Sequence, residues 1–541
     1  MSVTTVNLPT AFRKRPAAAQ PGAATATPTL PKVGSATLVD ATATPNQAYK
    51  TDLFLSWDAT KAWSFGTRAY VAGAKPVYGI TGEQGPLLVK GSAAAGERLI
   101  VAEAGRKYRG GQTLRSGISF ADGTGDFKAA DLTSAGIDGP VLKVSIDGKI
   151  TYLSQVDLLY FTDPGDGKGA IQFAIGTGTN GNDVLDGATI RQREAAAAQA
   201  GGQSASGDGY GVILLGGAGN DVLEALASSN TLHGGDGDDV LSATNVVTTA
   251  NVVLDGGDGA DTLTANSASS TLLGGAGNDV LWSGQSFSSL DAGDGADTLV
   301  AYGAFNKLSA GAGNDSITVS GFRNVIDGGA DHDTIVVTGD HNTITGGAGN
   351  DTITVSGPKN VIQGGAGDDT IIVTGDNNQV AGGAGADHFK IVGLQNVVYG
   401  SAANDYADME QDAFYLGAPG STNAGTDGSN SVCGNRGEDA FFVYSARNQL
   451  DLGGYYEGRT WRTDGDRDTV YIAEGVAKVT KFMNVGAEDY VYVATTDQSH
   501  ISGQALSAQE IADLFGSNFG TSHVIWTTPA TMDTAAKAAG F

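Results

Sequence analysis

GGAGNDTITVSGPKNVIQ runs from Gly346 to Gln363, and GGAGDDTIIVTGDNNQVA, from Gly364 to Ala381, repeats it almost residue for residue. Aligned on the aspartate, the first half recurs as GGAGNDVLE at Gly216, GGDGDDVLS at Gly234, GGDGADTLT at Gly256 and GGAGNDVLW at Gly274. AGDGADTLV at Ala292, AGAGNDSIT at Ala310, GGADHDTIV at Gly328 and GGAGADHFK at Gly382 complete ten copies. The step is constant except where ATNVVTTANVVLD (Ala243 to Asp255) adds four residues. A register this regular predicts a solenoid in which each repeat is one unit stacked on the next.

Glycines at positions one, two and four let the chain turn tightly and present carbonyl oxygens. The position-six aspartates would form one column: Asp221, Asp239, Asp261, Asp279, Asp297, Asp315, Asp333, Asp351, Asp369 and Asp387. Stacked coils lie about 4.8 Å apart, so these carboxylates repel unless a cation sits between them. Carboxylate and carbonyl oxygens suit calcium, whereas zinc would call for Cys or His. The glycines expected to contribute are Gly217, Gly219, Gly235, Gly237, Gly257, Gly259, Gly275, Gly277, Gly293 and Gly295. Gly311, Gly313, Gly329, Gly347, Gly349, Gly365, Gly367, Gly383 and Gly385 continue that set. An isolated copy, GTNGNDVLDG (Gly178 to Gly187), adds Asp183.

After each aspartate one apolar side chain is expected to point inward, from Leu223 and Leu241 to Ile371 and Phe389. The second half of each coil has a matching apolar column, from Leu232 to Val398. Where the first half carries aspartate, the second carries Asn230, Asn306, Asn324, Asn342, Asn360, Asn378 and Asn396, with Ser270 and Ser288 in two coils. Neutral amides hydrogen-bond up a stack without a counter-ion. The sequence therefore predicts an all-β parallel β-roll with calcium along one edge and an asparagine ladder along the other.

The G-G-x-G-x-D-x-U-x pattern resembles that of the RTX (repeats-in-toxin) family, over Gly216 to Phe389. The resemblance implies hemolysin-type calcium-binding repeats, a secreted protein and release by a type I exporter that reads an uncleaved C-terminal signal. One calcium edge departs from members with calcium on both. Ten stacked turns would then hold about nine ions, bringing the formal charge of −27 to about −9. Without metal, glycine-rich, self-repelling repeats are expected to lose order.

The acidity argues against nucleic acid or an anionic membrane as partner, and no stretch is long and apolar enough to cross a bilayer. MSVTTVNLPTAFRKRPAAAQ has no apolar core of a cleaved signal peptide. Residues 1–32 read as an Ala/Pro/Thr-rich arm, and 33–175 as a β-rich domain, expected to be a sandwich for attachment or assembly. KVSIDGKITYL is its hairpin, turning at Asp147-Gly148. Residues 176–215 hold the first repeat and an insertion, TIRQREAAAAQA, that reads as a short capping helix. The roll is placed at 216–405, where Asp405 keeps the register, and a capping region at 406–541. In the latter, KVTKFMNVGAEDYVYV (Lys478 to Val493) resembles the strand-loop-strand closing many RTX rolls, with Phe482 as plug and Gly486 and Asp489 shaping the turn. The tail is compatible with a type I export signal.

Cys433 is the single cysteine, which excludes an internal disulfide. No H-E-x-x-H or G-x-S-x-G motif occurs, so no catalytic residue is assigned and the protein is not expected to be an enzyme. Composition and repeats resemble RTX-containing bacterial surface-layer proteins. The expected function is a calcium-binding structural protein of the cell surface, or of an extracellular matrix, that folds and self-assembles on binding calcium. Its partners would be calcium, itself, the exporter and surface polysaccharide. The alternative is a secreted enzyme or effector acting on polysaccharide, with the roll as its folding and secretion module. An ice-binding role is disfavoured, because position three is always Ala or Asp and position five mixes Asn, Asp, Ala and His.

Overall fold

The structure is a computed structural model. It describes residues 4–7, 32–33, 36–40, 51–57, 63–69, 77–83, 86–90, 98–103, 118–137, 139–146, 149–154, 156, 158–162, 171–190, 192, 210–225, 230–244, 251–401, 411–417, 429–434, 438–444, 448–452, 455–457, 460–462, 467–473, 481–483, 490–494, 509 and 524–538. Two compact units divide the chain, Met1–Asp279 and Val280–Phe541. Both carry parallel β-solenoid coils at 18-residue spacing, about 12 turns in all, with few helices.

In the first unit a mixed sheet runs in the order Thr4–Asn7, Ala36–Asp40, Leu87–Lys90, Lys149–Ser154, Leu142–Ile146, Ile118–Asp122. The expected hairpin is present, with Ile146 paired to Lys149 across residues 147–148. A short helix, Ala129–Ser134, buries Leu132 against Ala36, Leu88, Val141 and Tyr152. Phe120 of this sheet meets Phe173 edge-on, with ring centroids 4.8 Å apart. Phe173 lies on Ile171–Thr177, which pairs in parallel with Tyr210–Ala218 and so is itself the first rung of the solenoid. The N-terminal sheet thus lies over the opening strands, where residues 173–176 and 211–216 are buried in runs rather than alternately. Ile190, at the start of the expected helix, is buried against Gly176 and Leu214; residues 187–190 and 192 are helical, and 191 and 193–200 lie outside the described residues.

Each coil has two strands. A leading strand, such as Val325–Ala330, runs into the aspartate turn, and a trailing strand, such as Thr334–Thr338, leaves it. Like strands stack in parallel and in register, Ile326 on Ile344 and Ile335 on Ile353. Alternation puts Ile335 and Val337 both inside, with Thr334, Val336 and Thr338 outside. Trailing strands therefore supply two inward columns where the sequence suggested one, because they continue for a further pair of residues past the first apolar position. Position one of the next turn also faces in, as buried Ala292 and Ala310 show.

In the second unit the coils continue past residue 399 although the 18-residue spacing lapses. Ala413–Leu416, Ala440–Val443, Thr469–Ile472, Tyr490–Ala494 and Val524–Thr527 extend the trailing sheet. The core column changes from Ile to Phe here, and Phe389, Phe414 and Phe441 stack with centroids 4.8 Å apart. Lys481–Met483 and Tyr490–Ala494 occur as strands, while the side chain of Phe482, and Gly486 and Asp489, lie outside the described residues. The tail forms a helix, Pro529–Ala538, that buries Met532 and Ala536 against Tyr415 and Phe442. Among the described residues no helix is long and apolar enough to cross a membrane.

Candidate metal centre

The aspartate turns are built by two glycines in the left-handed region, for example Gly347 at φ 128° and Gly349 at 126°, except that in the Asp333 turn Asp331 takes the fourth position at φ 74°. A side chain at either would strike the coil before it: a Cβ on Gly347 would lie 2.0 Å from the Gly329 carbonyl oxygen. The position-one glycine has another reason. A Cβ on Gly346 would lie 2.3 Å from Asp351 Oδ2 and 2.5 Å from the Gly364 carbonyl oxygen, so two oxygens converge on the space it leaves. The same pair of contacts recurs at Gly216, Gly234, Gly256, Gly328, Gly364 and Gly382.

The aspartates themselves form a ladder. Within the first unit the backbone N–H of each donates to Oδ1 of the next, from Asp183 through Asp221, Asp239 and Asp261 to Asp279, at 2.7–2.8 Å. Within the second unit Asp297, Asp315, Asp333, Asp351, Asp369 and Asp387 do the same at 2.7–2.9 Å. Oδ2 is different. At Asp221, Asp239, Asp261, Asp315, Asp333, Asp351 and Asp369 it is buried and accepts no hydrogen bond from the protein.

A buried carboxylate oxygen without a donor is costly. Burial, with neighbouring carboxylates adding repulsion, pushes Asp239 and Asp315 up to about 6 and Asp261, Asp333 and Asp369 up to about 7. Burial also raises Asp221 and Asp351. Among the described residues no three His, Cys, Asp or Glu side chains cluster as a metal site. The available donors are therefore one carboxylate oxygen per coil and the stacked glycine carbonyls, a hard, all-oxygen set suited to calcium. Asp183 stands apart, since its Oδ2 accepts from Thr179 N and Oγ1 at 2.6 and 2.8 Å.

From Ser288 to Asn396 the opposite edge is satisfied without an ion. Backbone N–H of Asn306, Asn324, Asn342, Asn360 and Asn378 each donates to Oδ1 of the next asparagine at 2.8–2.9 Å. Side-chain Nδ2 of Asn324, Asn342, Asn360 and Asn378 donates to that same Oδ1 at 3.1–3.2 Å. The second amide hydrogen reaches a glycine carbonyl, as from Asn342 to Gly321 at 3.1 Å. Ser288 keeps the pattern by donating its N–H to Asn306 Oδ1.

The residue before each of these asparagines is left-handed although it is not glycine, as in Arg323 (φ 55°) and Lys359 (φ 59°). Lys359→Gly should therefore raise stability in calcium by about 0.5–1 kcal/mol. Gly357→Ala, whose Cβ would lie 2.1 Å from the Gly339 carbonyl oxygen, should lower it well beyond that. Thermal unfolding of the two variants checks both signs.

Two features were not read from the sequence. Asp412, Asp439 and Asp468 continue the aspartate ladder, each taking the N–H of the rung before it, Asp387 onward, at 2.9–3.0 Å. Asn430 and Asn448 do so on the other edge. The expected next rung, Asp405, lies outside the described residues, and Asp412 follows Asp387 in the ladder. The signal was there: DAF, DAFF and DTVY keep D-x-U-x where the glycines have thinned out, Gly434 and Gly437 remaining before Asp439. Position five, although its residue types are mixed, also forms a ladder from Asn314 to Asp368. Asn314 Oδ1 takes the His332 N–H, His332 Nδ1 that of Asn350, and Asn350 Oδ1 that of Asp368.

A stack of parallel coils with a buried carboxylate row on one edge defines a calcium-binding β-solenoid. The family model of the RTX calcium-binding nonapeptide repeat (4 copies) matches residues 213–245, 255–287, 291–326, 327–357 and 359–389. The repeats and the solenoid they build are those of an RTX calcium-binding protein, a class that is typically secreted. No curated protein matches the chain.

Proposed function

We propose that the protein is a calcium-dependent structural component of a bacterial cell surface or extracellular matrix, which folds on reaching calcium and then associates with itself. Calcium would be held along the aspartate edge by the position-six carboxylates and the carbonyls of the position-two and position-four glycines. The observation that carries this reading is the two-edged ladder. One edge is complete by itself and the other has a buried oxygen to satisfy in coil after coil, so order in the stack depends on the ion. A protein whose described residues fall so largely into stacked coils offers repeated surface rather than a pocket, which fits structure better than catalysis.

Secretion is the norm for RTX repeats, and a type I exporter is the route proposed here. The N-terminal sheet, seated on the opening strands, is proposed to meet surface polysaccharide. Negative-stain electron microscopy of purified protein is the test. Ordered sheets or filaments should appear with calcium and disperse in chelator; single particles in both conditions would contradict self-assembly.

A further inference from the structure

The outward side of the trailing sheet differs from the rest of the surface. From Thr298–Tyr302 through Ser316–Ser320, Thr334–Thr338 and Thr352–Ser356 to Thr370–Thr374, every outward side chain is Thr, Ser, Val, Ile or Tyr, and none is charged. The leading sheet of the same coils exposes Lys307 and Asp327, and the asparagine turns carry Arg323, Asp340 and Lys359. In a chain of formal charge −27, that leaves one uncharged face, where a like-charged copy meets the least repulsion.

Two further observations bear on what covers it. In the C-terminal coils the middle outward column of this sheet passes through Lys390 to Tyr415 and Phe442, and those two rings lie beneath the chain's own helix Pro529–Ala538. The uncharged strands are separated from that covered surface by one strand, His388–Val392, whose Lys390 faces out with its ammonium 5.7 Å from the Tyr415 ring centre. At their other end they meet an aromatic corner: Tyr302, Phe305 and Phe322 are 45 %, 42 % and 46 % exposed. Phe305 stacks on Phe287 at 5.1 Å, with the Arg323 guanidinium 5.6 Å from its ring centre. Tyr, Phe and Arg are residues that anchor protein contacts.

We propose that this face is where one copy of the protein meets a second, an inference that rests on the self-assembly put forward above and names its surface. Parallel strands with matching 18-residue spacing present the same ridges on each copy, so two faces can interdigitate in register. Five strands cover about 400 Å². That is roughly half of the ~800 Å² per partner in a free-standing interface, so the contact suits an array of many weak joints.

Val336→Glu places a charge at the centre of the face, and Gln363→Glu places one on the leading sheet of a neighbouring coil. Both are exposed positions, and circular dichroism in calcium verifies that each variant folds. By electron microscopy and sedimentation in calcium, Val336→Glu should raise the protein concentration needed for assembly by about tenfold or more, while Gln363→Glu leaves it unchanged. In a Cys433→Ser background, with a mild thiol oxidant added, Thr354→Cys should form disulfide-linked pairs in calcium and Gln363→Cys should not. Assembly of Val336→Glu at the wild-type concentration would overturn the face but leave the self-assembly reading intact. Wild-type protein that stays dispersed in calcium would overturn both.

Discussion

In excess chelator at pH 8 the protein should lose most of its β-sheet signal, and lowering the pH to about 5 without adding metal should restore much of it. The sign follows from the raised carboxylates. Asp261, Asp333 and Asp369 are pushed up to about 7 by burial and mutual repulsion, against 3.8 for an ordinary aspartate. Between those values the folded state binds more protons than the unfolded chain, so metal-free stability falls as pH rises and is lowest above about pH 7. A proton then does for Oδ2, in part, what calcium does at neutral pH. Calcium should be correspondingly weaker in acid, because it competes with those protons. Circular dichroism against pH, with chelator and with calcium, gives two curves that converge at low pH and separate above neutrality. Metal-free protein that is most stable at pH 8 would contradict the coupling.

The second large effect comes from exchanging the two edges. Asn342→Asp removes the Nδ2 donor to Gly321 O and to Asn360 Oδ1, and sets a buried carboxylate against both oxygens. The cost should be about 3–5 kcal/mol, and calcium should not recover it, since the asparagine turn lacks the paired left-handed glycines. The reverse change, Asp333→Asn, should act in the opposite sense on metal-free protein. Its new Nδ2 would stand where Oδ2 and the Gly346 carbonyl oxygen converge on Gly328, and could donate to that carbonyl. Asp333→Asn is therefore expected to stabilise the metal-free coils while lowering the number of ions bound. Denaturant titrations of both variants, with and without calcium, separate these outcomes.

The contrast between the edges was legible in the sequence because a repeat aligns its own columns. Asp351 and Asn360 fall at fixed offsets from Gly346, so which side each faces follows from period alone. What period could not show was anything that breaks it. Asp412, Asp439 and Asp468 follow their predecessors by 25, 27 and 29 residues, and insertions of that kind erase an alignment without disturbing the stack. Position five looked random as residue types, yet Asn, Asp and His share an acceptor atom at similar reach, and the ladder selects the atom rather than the residue. The second inward column was hidden by its own chemistry. Ala243 and Ala265 in one unit and Val319 and Val337 in the other do the same work in different sizes. Docking of Met532 and Ala536 on a tyrosine-rich outer column was beyond period altogether, since it joins elements distant in the chain.

The measurement that bears most directly on a one-edged calcium solenoid is the number of ions bound per folded chain, by equilibrium dialysis with metal analysis, followed alongside circular dichroism through the same titration. The expected result is about one ion per coil, with β-sheet signal and bound calcium rising together. Two ions per coil would show that the asparagine edge binds as well, and a full β-sheet signal at neutral pH before any calcium is bound would contradict the dependence of the fold on the ion.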